Sequence, residues 1–216
     1  ALGLRAIRLT LAFPNIFKKQ ISAILRASAF GSLRIMLPMV SHLYELEAAK
    51  KIIKDVHKVL IKKKIKVRKT LPPIGVLIET PAAALISNIL AKHCDFFAIG
   101  TNDLVMYTLA IDRGDENVAN IYEPSHLSVL RLIKMSKESA DKNNIPVSVC
   151  GEMAGDTMFT SLLLGMGINT LSMSISRILK VKQFITKINS KEVSKICSEI
   201  FKEHDNLLIK NKLKVY

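Results

Sequence analysis

Short apolar runs alternate with stretches of helical periodicity along most of this chain, and that alternation limits the possible folds more than any other feature. Runs at 33–40 ("LRIMLPMV"), 74–79 ("IGVLIE"), 96–101 ("FFAIGT"), 147–150 ("VSVC") and 170–174 ("TLSMS") have the length of strands. After the first run, Leu46, Ala49, Ile53, Val56 and Leu60 recur at steps of three or four. After the second, "PAAALISNILAKH" has Pro81 in its first turn, where the missing N–H costs nothing. The third leads into a long loop, "AIDRGDENVANIYEPSH", and then the helical "LSVLRLIKMSKESADKNN". The fourth leads into "DTMFTSLLLGMG", a helix closed by glycine, and the last into a helical tail from about Ser176. Strands buried on both faces and separated by helices pair in parallel, so the fold class is α/β. An open doubly wound sheet and a (β/α)8 TIM-type barrel both satisfy this pattern. No GxGxxG follows the first strand, so dinucleotide binding has no support. Five strands cannot close an eight-stranded barrel, which takes about 250 residues. Either the sheet is open or three strands lie outside this chain.

Three of the runs end in groups that do chemistry. "IGVLIETP" ends in Glu79, "FFAIGTND" in Asn102 and Asp103, and "VSVCGE" in Cys150 and Glu152. Carboxylates at neighbouring strand tips can share a hard cation such as Mg2+, which takes oxygen ligands and keeps waters or substrate oxygens. The plainer alternative is that each acid caps the helix that follows it. Arg5, Arg8, Arg34 and Arg113 are candidate anion binders, although Arg113 lies between Asp112 and Asp115 and would serve equally as a surface ion pair. Cys150, beside Gly151 and Glu152, is either a packing thiol or a proton donor. Cys94 and Cys197 fall within helical segments, and the five histidines form no metal or triad spacing.

At 216 residues the chain is long enough for one domain with a substantial core. Its first residue is Ala within a helical pattern, so the chain is expected to be a piece of something longer. No stretch has the roughly 20 apolar residues of a membrane span, and the opening segment carries arginines and no cleavage site, so no membrane role is expected. The net charge of +14 raises the question of nucleic acid. Much of it sits in "KKIIKDVHKVLIKKKIKVRK" (50–69) and in the tail after Lys180, interleaved with Ile and Leu at helical spacing and without aromatic stacking residues, which reads as a solvated helix face. No nucleic-acid partner is expected. Three cysteines without a CxxC fit a reducing, cytoplasmic location.

Taken together, "LGLRAIR", "ILRASAFGSLRIMLPMV", "IGVLIETPAAA", "FFAIGTNDLVMYTLAIDRGDE", "CGEMAGD" and "LLLGMGINTLSMS" resemble enzyme I of the bacterial phosphoenolpyruvate:sugar phosphotransferase system. The resemblance runs to about Ser174, and "RASAFG" and "CGEMAGD" look like enzyme I more than its relatives pyruvate phosphate dikinase and phosphoenolpyruvate synthase. It implies a homodimeric (β/α)8 barrel that binds phosphoenolpyruvate and Mg2+, of which this chain supplies about the last five βα units. Residues 1–182 would be the barrel portion and 183–216 a helical tail of the same domain. The phosphoryl group would pass to a histidine on a separate N-terminal domain and then to the carrier HPr. Carried over by motif, Glu79 and Asp103 would bind Mg2+. Asn102, Asp103, Arg5 and Arg113 would hold the substrate, and Cys150 would protonate the methylene carbon of enolpyruvate. A dikinase or synthase fragment, or a truncated binding or dimerisation module, are the competing readings. The histidine domain and two further phosphate-binding arginines of the family lie outside this chain. Val105 and Met106 stand where the family usually has Thr-Gln, and the proline-containing segment after the last strand is shortened to "SISRIL".

Overall fold

The computed structural model describes residues 2–112 and 114–215. Four strands, β1 (Ile35–Leu37), β2 (Ile74–Ile78), β3 (Phe97–Gly100) and β4 (Val147–Cys150), form one parallel sheet in the order β1-β2-β3-β4. All four residues of β3 are buried, as an interior parallel strand with both faces covered requires. The strand order follows the chain without the reversal of doubly wound sheets.

Helices connect and flank these strands. Before β1 come α1 (Ala6–Ala12) and α2 (Pro14–Ala27), and after it α3 (Leu43–Lys62). Next come α4 (Pro81–Leu85) and α5 (Ser87–Leu90), α6 (Thr101–Leu109) and α7 (Leu127–Lys142), α8 (Thr157–Gly165) and α9 (Ile175–Ile185), then α10 (Ser190–Ile200) and α11 (Asn206–Val215). The expected stripe of α3 is buried at Leu46, Ala49, Ile53 and Leu60, with lysines 51, 54 and 58 exposed on the opposite side. Its start is fixed by Glu45, whose carboxylate accepts the N–H groups of Ser41 (2.7 Å) and His42 (3.0 Å). Thr80 caps α4 by accepting the Ala83 N–H, with Pro81 next in line.

Two elements differ from the sequence pattern. The run at 33–40 pairs only from Ile35 to Leu37, because Pro38 has no N–H to donate and Met39 turns out of the ladder at φ +56°. The run at 170–174 forms a single parallel bridge, Leu171 to Val149, held by Val149 N–H to Thr170 O (3.0 Å) and Ser172 N–H to Val149 O (2.8 Å). It continues the sheet beyond β4 for one residue before α9 begins. The helical tail returns to the body of the fold. Val193, Ile196, Cys197 and Ile200 of α10 and Ile209 and Leu213 of α11 are buried. Gly165 of α8 admits α10, since a Cβ there would stand 2.7 Å from the Cys197 Cβ and the Val193 carbonyl.

Candidate active site

The parallel register aligns the strand tips. Ile78 pairs with Ile99, and Gly100 pairs with Cys150. Glu79, the first turn of α6 with Asn102 and Asp103, and Cys150 therefore emerge side by side at the C-terminal rim of the sheet. Parallel strands all point their ends the same way, so any groups placed just after them converge there.

Glu79 is buried, and its Oε1 accepts the Met39 N–H at 2.6 Å. Burial pushes its carboxyl up to about 7; the Asp103 carboxylate adds to this by its charge and as a hydrogen-bond partner, while the Met39 N–H and Arg5 oppose it. Gly100 makes the room for this carboxylate, because a Cβ there would lie 3.1 Å from the Glu79 Cβ and 3.2 Å from Oε2. Asp103 in turn faces Arg5 across 3.7 Å, and the Arg5 guanidinium also donates to the Tyr107 hydroxyl at 3.2 Å.

On the other side of β3, Asn102 Oδ1 accepts the Glu152 N–H (2.9 Å), and the Thr101 hydroxyl donates to the Cys150 carbonyl (2.9 Å). These bonds tie the start of α6 to the tip of β4. Gly151 is required at that junction. Its φ is +94°, and a Cβ would fall 2.5 Å from Thr101 Oγ1 and 2.8 Å from Asn102 Oδ1. The Cys150 thiol contacts the Ile99 carbonyl at 3.4 Å. Burial, and then the nearby charge of Glu79, push its acidity down, so the thiol keeps its proton at neutral pH. Beside it opens a cleft of about 590 Å³ whose lining includes Asn102, Cys150, Glu152, Asp156, Ser174 and Arg177.

The rim thus brings together Arg5, Glu79, Asn102, Asp103 and Cys150. Arg113 lies outside the described residues. Arg34 does not belong to the rim. It precedes β1 at the opposite end of the sheet, with its guanidinium 5.5 Å from the centre of the Phe96 ring. Cys94 and Cys197 are free thiols away from the rim, and burial pushes Cys94 up to about 11. Sequence reasoning missed Met39, Thr101, Tyr107 and Arg177. Only Arg177 had a readable signal, a cation in the first turn after a strand-like run.

Two carboxylates, a guanidinium, a thiol held as its acid and an adjoining cleft suit an anionic substrate that gains a proton. The family described as PEP-utilising enzyme, PEP-binding domain matches residues 1–190. The chain belongs to this family. Among individual relatives, the phosphoenolpyruvate-protein phosphotransferase of Staphylococcus epidermidis is 42% identical over 197 residues, covering 91% of this chain and 34% of its own length. Those of Cupriavidus necator (40% identical, 95% of this chain, 35% of its own length) and Mycoplasma genitalium (44%, 93% and 34%) are similar. The chain spans about a third of the length of these curated relatives. A crystal structure of a citrate lyase from Burkholderia xenovorans superposes with a TM-score of 0.58 over 92% of this chain and 66% of that one, at 14% identity. That likeness concerns the fold alone. Within the PEP-binding family, the rim and its cleft are the concave, charged feature at the end of the sheet where parallel α/β folds bind ligands.

Proposed function

We propose that this chain is the phosphoenolpyruvate-binding part of a phosphotransferase that moves phosphoryl from phosphoenolpyruvate to a protein histidine and then to HPr, releasing pyruvate. One observation carries the reading: adjacent strand tips deliver a carboxylate pair, an amide and a protonated thiol to one rim, with Arg5 against the carboxylates. The names of the curated relatives support phosphoryl transfer over the dikinase and synthase alternatives.

Glu79 and Asp103 fit Mg2+. Two carboxylates facing each other, one of them buried and with its pKa pushed up by that burial and by the other's charge, are a donor set that a divalent cation would relieve. Mg2+ keeps waters and substrate oxygens in its shell, so two protein carboxylates would be enough to hold it. When bound, the cation offsets negative charge on the phosphoryl oxygens. Arg5, with Arg113, grips the phosphoryl group, and Asn102 fixes the turn that presents Asp103. Cys150, kept as a thiol, gives its proton to the methylene carbon of enolpyruvate, and the C–H bond formed converts the enolate to pyruvate.

The consecutive strand order supports the last five units of an eight-stranded barrel, with the exposed edges at β1 and at Leu171 left for the remaining strands. Residues 1–182 form the barrel portion, and 183–216 belong to the same domain, supported by the packing of α10 and α11 on α8. The histidine domain, the homodimer and a cytoplasmic setting complete the reading. Among the described residues no helix is long and apolar enough to cross a membrane. The decisive experiment supplies labelled phosphoenolpyruvate to the full-length protein with HPr or with ATP precursors. Label in HPr supports the proposal, and label reaching ATP but never HPr replaces it with a dikinase or synthase. The 216-residue chain by itself is expected to transfer nothing.

A further inference from the structure

We propose that Glu123 and Lys210 are positioning residues for the substrate rim: through their ion pair, helix α11 fixes the segment 114–126, which touches the start of α6. This rests on the reading of the rim given above. The segment has little hydrophobic support of its own. No described residue between Ile111 and Ser125 is buried, and the regular structure there is a single 3₁₀ turn, Ala119–Ile121. A stretch with so few apolar contacts opens locally at small cost unless polar contacts hold it.

Those contacts run in two directions. Toward the rim, the Tyr122 hydroxyl donates to the Asn102 carbonyl at 3.4 Å, one residue before Asp103 in the first turn of α6. Toward the tail, Glu123 uses both of its oxygens. Oε1 accepts the Ser125 N–H (3.2 Å) and hydroxyl (2.7 Å), and Oε2 accepts from the Lys210 ammonium at 2.7 Å. Burial by itself would raise the Glu123 carboxyl, but the Lys210 and Ser125 donors outweigh it and hold the group below its ordinary value. Asn206 of α11 adds a second tie, its Oδ1 accepting the Leu127 N–H at 3.1 Å. Leu127 opens α7, so that N–H has no acceptor within its own helix.

Helix α11 is itself anchored. Asp205 caps it by accepting the Leu207 N–H at 2.7 Å, and Ile209 and Leu213, which flank Lys210, are buried. The helix lies beyond the residues 1–190 that match the family, so this support is an addition to what that match describes. Exposed ion pairs contribute little. Here the Glu123 side chain is only 24% exposed, and the pair joins positions 87 residues apart. Breaking it strands a largely covered carboxylate without its cation and loosens the neighbouring Tyr122. Substrate binding must then restore order to the segment, and the cost appears as lost affinity.

The test uses the full-length protein with HPr and Mg2+, measuring initial rates at varied phosphoenolpyruvate beside amide hydrogen exchange over 114–127. Lys210→Met is expected to raise KM for phosphoenolpyruvate roughly 3- to 10-fold with kcat little changed, and to speed exchange at Tyr122 and Leu127. Glu123→Gln should do the same, and the double variant should be no worse than Glu123→Gln alone. Lys210→Arg, which keeps the charge, should stay near wild type. An unchanged KM in K210M, or an equal rise in K210R, overturns the proposal and leaves the reading of the rim intact. Faster exchange with an unchanged KM makes the pair a structural contact only and overturns it equally. A wild-type protein that passes no label to HPr removes the reading of the rim and this role with it. If K210M fails to fold, E123Q decides by the same two readouts.

Discussion

Two buried glutamates in this molecule sit in opposite surroundings. Glu45 and Glu79 are 4% and 5% exposed, the only carboxylates among the described residues that are this buried. Glu45 lies at the start of α3, where two backbone N–H groups converge on its Oε2. Its negative charge is met by donors and by the positive end of the helix, and its role is complete within the fold. Glu79 receives one N–H and faces a second carboxylate, with Arg5 beyond. Burial alone therefore does not mark a functional acid. What sets Glu79 apart is that burial and a second carboxylate both disfavour its charge, against one N–H and Arg5 that favour it.

The sharpest way to break this contrast is to remove each carboxylate in the full-length protein. Glu79→Ala or Asp103→Ala is expected to abolish Mg2+-dependent phosphotransfer, because one remaining carboxylate fixes the cation too loosely. A stable, active double variant would assign both acids to the class of Glu45.

Cys150→Ala comes next in size. A positioned acid contributes about 10²–10⁴-fold, so pyruvate release should fall by that factor while phosphoenolpyruvate affinity stays near wild type. Serine is expected to serve poorly, since a hydroxyl yields its proton less readily than a thiol. Near-normal turnover in the alanine variant removes the thiol from the chemistry and leaves it a packing residue.

Protons provide a subtler comparison. The folded Glu79 carboxyl titrates at about 7, against an ordinary value of 4.5. The folded state thus holds more protons than the unfolded state between those values, and stability falls as pH rises through that window. The cost is absent below about pH 4.5 and complete above 7, on the order of 3 kcal/mol at most. Thermal unfolding of the 216-residue chain from pH 5 to 8 should show the decline. Added Mg2+ should offset it at pH 8, and Glu79→Gln should flatten it. An equal decline in the Gln variant would place the titration elsewhere.

The smallest effect belongs to Glu45. Glu45→Ala should cost about 1 kcal/mol through loss of the capping box, with phosphotransfer by the folded full-length protein unchanged. Chemical denaturation beside an activity assay separates the two.

The sequence by itself determined the alternation of strand and helix, the parallel pairing and the arrival of polar groups at one end of the sheet. These follow from local rules: apolar runs of strand length, a three-to-four residue stripe, and the fact that parallel strands share a direction. Even there, the edges were decided by neighbours. Pro38 and Met39 shorten β1, and the run at 170–174 contributes one bridge because α9 begins almost at once. Thr101, read as the end of a strand, opens α6 and thereby sets Asn102 and Asp103 on a helical turn. Relationships between distant residues were not legible from the residues alone. Arg5 meets Tyr107 across 102 positions of chain, Met39 supplies an N–H to Glu79, and Arg177 lies against Gly155 and lines the cleft. Periodicity reports which face of an element is apolar, and it carries no information about which elements meet. Burial and the facing carboxylates arise from that meeting, so the chemistry of the rim is a property of the tertiary structure.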